Sequence, residues 1–465
     1  MQEKNQLRSG SLSFVEVLAA SVALIGLSMT PVLIAPYMFG AAGYGSWLAY
    51  VFGGVMLLLV AMNLNHFARR ATGAGSMFLY AAEELGPAVG TLSGWSLVWA
   101  YVFVGASQFG AQALFIGLLA SAFGASVPAL VVMVGLGVVC WLLAVRDVAL
   151  STIIMLVLET ISVAIICTLV GIVLFKHGPH LDLAQLHLEG ASHASIGLGI
   201  ATAIFSFVGF ESATAFGDEA RNPLVTIPRA VIWSVIIAGA FFVLVMYTEI
   251  LGLHGSKPPL DQMSAPLWNL ADAFQAGYLK IPITIGAICS SFSVALACVN
   301  TAARIVLPMA QSRLLPRGLA AIHPRFRTPH VALAWTVAVM FAIGVGMYAL
   351  HVAPIDIFNY CGTLSSLSFI AVYLLISVAA PKYLRRIGEL RVVDTIVAAL
   401  SCLFLAAAAI TLFYPVPSAP TNWFPYLFLV YLAVGLVLYR VSLRGAQIIA
   451  PDVTAAESAA TEHAS

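Results

Sequence analysis

The stretch Phe205-Ser206-Phe207-Val208-Gly209-Phe210-Glu211 places a glycine and a carboxylate inside an apolar run that extends from 196 to 217. A run of this length is long enough to cross a bilayer as an α-helix, which needs about 20 mostly apolar residues. Backbone groups freed at membrane depth must face protein or a cavity, never lipid. The stretch therefore predicts a membrane helix that is interrupted at a polar position.

A second interruption is predicted in the first apolar run, 14–39, where Ser28-Met29-Thr30-Pro31 lies near the middle. Proline removes a backbone donor and clashes with the preceding turn. Each segment alone is equally well explained by a proline kink or a packing glycine. Together they lie five helices apart, which is the spacing of two five-helix inverted repeats with a solute site at their interface.

The composition indicates that lipid is the solvent for much of the chain, because 61% of its residues are hydrophobic and only 9% are charged. Soluble domains carry about 25% charged residues. The formal net charge of +1 gives no reason to expect a nucleic-acid partner. The six cysteines all lie in apolar runs without metal-ligand spacing, so neither a metal nor a cofactor is predicted.

Apolar runs predict twelve membrane helices and no soluble domain. They cover 14–39, 44–67, 90–121, 127–144, 149–174, 196–217, 229–251, 281–308, 331–350, 355–380, 393–414 and 424–441. The predicted organisation is a cytoplasmic tail (1–13), a first repeat (14–174), an extracellular loop (175–195), a second repeat (196–380), two further helices (381–441) and a cytoplasmic tail (442–465). The first run is too long for the core of a cleavable signal and is expected to remain as a membrane helix.

The lysines and arginines support this count. With both termini in the cytoplasm, only Lys176, Lys257 and Lys280 fall on the outer side, and the other 18 of the 21 fall inside. Inner loops of membrane proteins carry this excess of positive charge. A missing helix would reverse the side of every later loop, so the pattern predicts twelve crossings of the plasma or inner membrane.

Three acidic residues, Glu159, Glu211 and Glu249, are expected at membrane depth. Charges at membrane depth are rare and commonly functional. Glu211 and Glu159 are therefore candidates for binding a proton or a solute. The alternative is a neutral acid bonded to backbone freed by a broken helix. Glu249 lies near the outer end of the seventh predicted helix, where the sequence suggests that it reaches water.

The eighth predicted helix carries Ser290, Ser291 and Ser293 in an otherwise apolar stretch. Their hydroxyls are candidates for binding sodium or a substrate. The competing interpretation is that they bond to a carbonyl one turn back or join neighbouring helices.

Two connecting segments also have alternative interpretations. Asp218-Glu219-Ala220-Arg221-Asn222-Pro223, followed by Ile227-Pro228-Arg229, is either a turn that opens the next helix or an inner gate built from ion pairs. His177, His180, His187 and His193 lie in one predicted outer loop, and an exposed loop is favoured over a metal site because no carboxylate partner or scaffold is evident.

Four stretches of the chain resemble the amino acid–polyamine–organocation (APC) transporter superfamily. They are 72–80 with Gly86-Pro87 and Gly94-Trp95; Phe207–Glu211 with 218–223 and 227–229; 310–316; and 360–363 with 383–386. The resemblance implies an all-α, leucine-transporter-like fold in which helices one to five and six to ten form inverted repeats. It also implies a secondary active transporter that works by alternating access, and no enzyme activity.

The resemblance further implies a substrate held at the midplane, with an amino acid carboxylate on the donors of broken helix one and its amino group on the carbonyls of broken helix six. The matching positions are Thr30, Pro31 and Val32, and Phe207, Val208, Gly209, Phe210 and Glu211. Phe207 or Phe210 is either an aromatic lid or part of the core.

Two departures from the family pattern bear on the substrate and the coupling ion. Thr30-Pro31-Val32 stands where the family usually has a small Gly-Ser-Gly step, which allows a different substrate such as a polyamine or another organic cation. Ser162 stands where some members have a lysine. Coupling to protons through Glu159 or Glu211, coupling to sodium, and exchange without an ion all remain open, and the sequence predicts no oligomeric state.

Overall fold

A computed structural model describes residues 10–70, 76–146, 148–178, 181–414, 416 and 419–442. Apart from one isolated bridge between Leu12 and Ala220, the regular structure of these residues is helical. The resembling residues 72–75, His180 and most of the two predicted tails lie outside the described part of the chain.

Sixteen α-helices are found among the described residues. They are α1 (Phe14–Ile25), α2 (Ala35–Ala42), α3 (Ser46–Ala68), α4 (Ser76–Leu85), α5 (Pro87–Ala122), α6 (Ala129–Arg146), α7 (Val148–His177), α8 (Leu183–Leu186), α9 (His193–Phe207), α10 (Pro223–Gly252), α11 (Pro266–Ala273), α12 (Lys280–Gln311), α13 (His330–Ala349), α14 (Pro354–Arg386), α15 (Val392–Thr411) and α16 (Phe424–Ser442).

Eleven helical segments of the described chain are long and apolar enough to span a membrane. The first, Phe14–Ala68, has 55 residues and contains both of the first two predicted helices. A straight helix of that length would be about 80 Å long, against a hydrocarbon core of about 30 Å. Each of the other ten segments overlaps one predicted crossing. The all-helical membrane class is thus confirmed, and the number twelve stays a prediction.

The first predicted helix is interrupted earlier than the sequence suggested. α1 ends at Ile25, Gly26 adopts a left-handed conformation with φ of +64°, and the chain turns over 26–28. Helical structure then resumes in a short π-helical turn, Thr30–Ile34. Pro31 lies at the start of that turn, where a proline is tolerated because no intrahelical partner needs its missing donor. The turn therefore overlaps the predicted stretch at Ser28, and Gly26, not Pro31, is the residue that ends α1.

The sixth predicted helix changes course at Gly209. α9 ends at Phe207, Val208 is extended, and Gly209 has a φ of +110°, which residues with side chains rarely adopt. A 3₁₀ helix, Phe210–Phe216, then leads towards α10. That the turns at 26–28 and 208–209 are the paired interruptions of an inverted repeat stays a prediction.

α7 and α12 pack side by side in an antiparallel register that positions part of the candidate site. A Cβ on Gly286 of α12 would lie 3.0 Å from Ser162 Oγ of α7. Further along both helices, the Ser293 hydroxyl donates to the carbonyl of Met155 over 3.4 Å. Because residues three or four apart share one face of a helix, this register places Ser290 at the level of Glu159.

Candidate functional site

The two turns lie against each other. A Cβ on Gly209 would lie 2.1 Å from Leu24 Cδ2 and 3.1 Å from the backbone carbon of Leu24, so only glycine fits this contact. Beside it, the hydroxyls of Ser212 and Ser21 are 3.1 Å apart. The last turn of α1 and the turn after α9 therefore form one junction, which we call the paired-turn junction (residues 24–30 and 207–212).

Glu211 is held on one side of this junction by three donors. Its Oε1 accepts a hydrogen bond from the Tyr101 hydroxyl of α5 over 2.6 Å. Its Oε2 accepts from the Tyr373 hydroxyl of α14 over 2.5 Å and from the backbone N–H of Gly209 over 3.2 Å. The carboxyl is fully buried and thus joins α5, α14 and the turn at Gly209. It satisfies a backbone donor that the interruption would otherwise leave unpaired.

Glu159 of α7 reaches the other turn. Its Oε1 accepts hydrogen bonds from the backbone N–H of Ser28 over 3.2 Å and from the Ser28 hydroxyl over 3.4 Å. The side chain is only 3% exposed, and Oε2 has no hydrogen-bond partner within the described residues. The backbone N–H of Leu27 and the Ser290 hydroxyl also lie beside this carboxyl.

The candidate serines divide into two groups. Ser291 donates to the carbonyl of Ile288 over 3.1 Å, and Ser293 donates to the carbonyl of Met155. These two hydroxyls therefore bond to backbone carbonyls, as the competing interpretation of the serines predicted. Ser290 and Ser162 are buried, and neither hydroxyl has a hydrogen-bond partner in the described chain.

The predicted substrate contacts of helix one lie in the π-helical turn. Thr30, Pro31 and Val32 are all buried, and the Thr30 hydroxyl has no described partner. The backbone donor that the structure shows engaged by a carboxylate belongs to Ser28, which the sequence analysis placed in the break but not among the binding residues.

The aromatic residues of helix six face in different directions. Phe207 packs against Phe242 at 5.2 Å between ring centroids, and its ring reaches Gly54 of α3. It therefore fills the core between α3, α9 and α10 in this structure, as the alternative interpretation held. Phe210 lies at the junction, with its ring 5.3 Å from that of Tyr373, and Val208 beside it is buried.

A buried ion pair lies beyond the 3₁₀ helix, towards the predicted inner side. Arg304 of α12 donates to both carboxylate oxygens of Glu219, over 2.6 Å and 3.0 Å, and both side chains are 1% exposed. Arg304 also donates to the carbonyl of Asn300 over 2.8 Å and lies over the ring of Phe216. A bidentate pair of this kind holds α12 to the segment that follows helix six.

The N-terminal segment covers the same region. The backbone N–H of Leu12 donates to the carbonyl of Glu219 over 2.9 Å, and the N–H of Arg221 donates to the carbonyl of Leu12 over 2.7 Å. Arg221 Nε donates to the carbonyl of Gly10 over 3.0 Å. Leu12 is completely buried, so residues 10–12 pack against the segment that holds Glu219.

A cavity of about 510 Å³ opens at the opposite, predicted outer side. Its polar and aromatic lining includes Tyr37, Phe205, Asp356, Asn359, Thr363 and Ser366. Asn359 donates a hydrogen bond to the Tyr37 hydroxyl, which connects α14 to α2. Asp356 is the only charged residue among the described residues that line this cavity.

Glu249 is placed differently from the expectation. It is completely buried, and neither carboxyl oxygen has a hydrogen-bond partner in the described part of the chain. The prediction that it reaches water was wrong, because the surrounding helices cover the end of α10. No group of three His, Cys, Asp or Glu side chains is placed to hold a metal ion in the described ranges, which include His177, His187 and His193.

Several residues of these clusters were not predicted from the sequence. Arg304 carried a usable signal, since it is a charge inside an apolar run and such charges usually have a partner. Tyr101 and Tyr373 carried none, because they meet Glu211 across 110 and 162 positions of sequence.

Comparison with known proteins shows several transporters similar to this chain. An uncharacterized transporter of Mycobacterium tuberculosis is 29% identical over 67% of this chain and 71% of its own length. The branched-chain amino acid permease BcaP of Bacillus subtilis is 24% identical over 86% and 85%. The low-affinity putrescine importer PlaP of Escherichia coli is 28% identical over 60% and 63%. The family model for amino acid permeases matches residues 21–445, and the chain therefore belongs to the amino acid permease family of the APC superfamily.

Proposed function

We propose that this permease moves a small amino acid or amine across the cell membrane by secondary active transport, with the solute bound at the paired-turn junction. The observation that carries the proposal is the contact of two helix turns at Gly209 and Leu24, with a buried carboxyl beside each turn. Neither Glu159 nor Glu211 forms an ion pair within the described residues. Charges at membrane depth are costly, and they commonly mark the path of a solute or ion.

Alternating access accounts for the difference between the two ends of the molecule. The Glu219–Arg304 pair and the Leu12 contacts close one end, while the cavity beside Asp356 opens at the other. We assign the closed end to the cytoplasm, with both termini on that side, as the lysine and arginine distribution predicts. The segment after helix six, which holds Glu219 of this ion pair, is then an inner gate that must separate from α12 for the solute to leave.

The geometry supports Glu159 over Ser291 and Ser293 of α12 as the group that couples transport to an ion. Ser291 and Ser293 are engaged with backbone carbonyls, whereas Glu159 has an oxygen that no described donor occupies. Protonation of Glu159 would weaken its hydrogen bond to the Ser28 N–H and so free the turn of helix one. Coupling to protons is therefore our first expectation, and exchange or sodium coupling is the alternative.

Uptake by the purified full chain in proteoliposomes tests this function. Labelled neutral amino acids, cationic amino acids and amines are supplied under an imposed proton gradient, a sodium gradient or no gradient. Saturable uptake of one class supports the proposal, and acceleration by the proton gradient alone supports the coupling. Uptake that tracks only sodium would refute proton coupling. Non-saturating flux of the whole panel would indicate a channel and overturn the proposal.

Of the two solute classes, an amine is favoured by the two junction carboxyls, neither of which forms an ion pair within the described residues. One of the similar proteins is a putrescine importer, so uptake of amines should be compared directly with uptake of amino acids.

A further inference from the structure

We infer that the solute of this permease is an amine without a carboxylate, and that its ammonium group pairs with Glu159. The inference rests on the proposed function, since it names the solute class of the same junction.

The turn at 26–28 offers backbone donors that attract anions. It follows the end of α1 and precedes the helical segment that begins at Thr30, so the Ser28 N–H within it has no intrahelical acceptor and is free to bind an anion. In this chain an acid from α7 occupies the anion-binding position at the turn, because Glu159 Oε1 accepts hydrogen bonds from both the N–H and the hydroxyl of Ser28. The protein thus supplies its own carboxylate where an amino acid would otherwise place one.

A solute carboxylate at this turn would meet two obstacles. It would have to displace Glu159 from Ser28, and it would lie within a few ångströms of a like charge in a medium that screens charge poorly. Arginine, lysine or histidine could compensate for the second carboxylate, but none forms an ion pair with Glu159 in the described chain. The junction is therefore poorly suited to a zwitterion bound through its carboxylate.

The same groups suit an ammonium. Glu159 Oε2 and the hydroxyls of Thr30, Ser162 and Ser290 are buried and have no described hydrogen-bond partner. Ser162 lies three residues after Glu159, on the same face of α7, and Ser290 lies beside the carboxyl on α12. An ammonium has three donors and no acceptor, so one carboxylate oxygen and two hydroxyls match it.

Glu211 is a weaker partner for the ammonium. Both of its oxygens already accept hydrogen bonds, from Tyr101, Tyr373 and the N–H of Gly209. Its contacts tie three helices together, whereas the free oxygen at the junction belongs to Glu159. The solute charge is therefore assigned to the α7 side.

Pairs of solutes that differ only by the carboxylate test the inference on the unmodified protein. Labelled isoamylamine with leucine, putrescine with ornithine, and cadaverine with lysine are compared for saturable uptake into proteoliposomes that contain the full chain. We expect the amine of at least one pair to be preferred by about 100-fold or more in kcat/KM, because like-charge repulsion disfavours its partner.

The outcomes separate this inference from the proposed function. Preference for the amino acid in every transported pair would overturn the inference and leave the transporter proposal standing. Failure of both members of every pair would overturn the proposed function and the inference together.

A variant then tests the assigned residue. Glu159→Gln keeps the size of the side chain and removes its charge, so KM for the preferred amine should rise about 10- to 100-fold. Glu249→Gln is the matched control, since it also neutralises a buried acid but has no hydrogen bond to either turn in the described residues, and its uptake should match the unmodified protein. An unchanged KM in Glu159→Gln would overturn the assignment to Glu159.

Discussion

The two turns of the junction are each capped by a buried carboxyl, but the caps differ in completeness. Glu211 accepts hydrogen bonds from three donors on three elements, including the Gly209 N–H within its own turn. Glu159 reaches the other turn from α7, bonds only through Oε1, and leaves Oε2 without a described partner. A satisfied buried group rigidifies its surroundings, whereas a partly satisfied one carries an energetic cost that a ligand can relieve.

This difference assigns distinct roles to the two sides. The helix-six side is an anchor that extends from Glu211 to the Glu219–Arg304 pair. The helix-one side is the place where a solute or proton changes the hydrogen bonding. Mutations on the anchor should therefore reduce stability, and mutations on the helix-one side should chiefly change transport.

The largest effect is expected from the anchor's ion pair. Arg304→Met leaves Glu219 buried without its partner and should lower the free energy of unfolding by about 3–5 kcal/mol. Unfolding in detergent micelles, followed by circular dichroism, measures the change. The double variant Arg304→Met with Glu219→Met is the control and should recover much of the loss, because no unpaired charge then remains. A loss below about 1 kcal/mol in the single variant would contradict the anchor.

A smaller loss is expected from Gly209→Ala. The added Cβ would overlap Leu24, and alanine rarely adopts a φ of +110°, so strain and overpacking together should cost about 2–4 kcal/mol. Gly135→Ala is the matched control, since nothing lies within 4 Å of a Cβ at that position. Equal stability of the two variants would show that the turns do not pack as described.

The two acids themselves provide the most direct comparison. Glu211→Gln should destabilise the protein by about 2 kcal/mol, because charge-assisted hydrogen bonds are lost and an amide donor faces other donors. Glu159→Gln should change stability by less than about 1 kcal/mol, since the charge removed was only partly hydrogen-bonded. Thermal unfolding of both variants in one detergent decides the order, and the reverse order would break the comparison.

The smallest effect is expected from Ser28→Ala. The lost hydroxyl contact is long, at 3.4 Å, and the backbone N–H of residue 28 still donates to Glu159. Stability should fall by less than about 1 kcal/mol. A loss as large as that of Glu211→Gln would mean that the Ser28 hydroxyl, and not its backbone N–H, is the main hydrogen-bond donor to Glu159.

Local features of the sequence predicted what depends on neighbouring residues. Gly209 was found because a glycine beside an acid interrupts an apolar run, and the change of course lies at that residue. Pro31 allowed two interpretations, because proline both breaks helices and suits their first turn, and only the position of Gly26 shows which applies. Phe207 was ambiguous, since an apolar ring lines either a pocket or a core, and its contacts with Phe242 and Gly54 were needed to decide.

The amino-acid sequence by itself determined the membrane class. A chain with 61% hydrophobic residues cannot shield all of them from water within the core of a soluble protein. It also determined where glycine allows the backbone to turn, since that freedom is a property of the residue. Only the tertiary structure decided which acid caps which turn. Glu159 meets Ser28 across 131 positions, and Arg304 meets Glu219 across 85. Such pairings depend on helix packing and register, which no local pattern encodes.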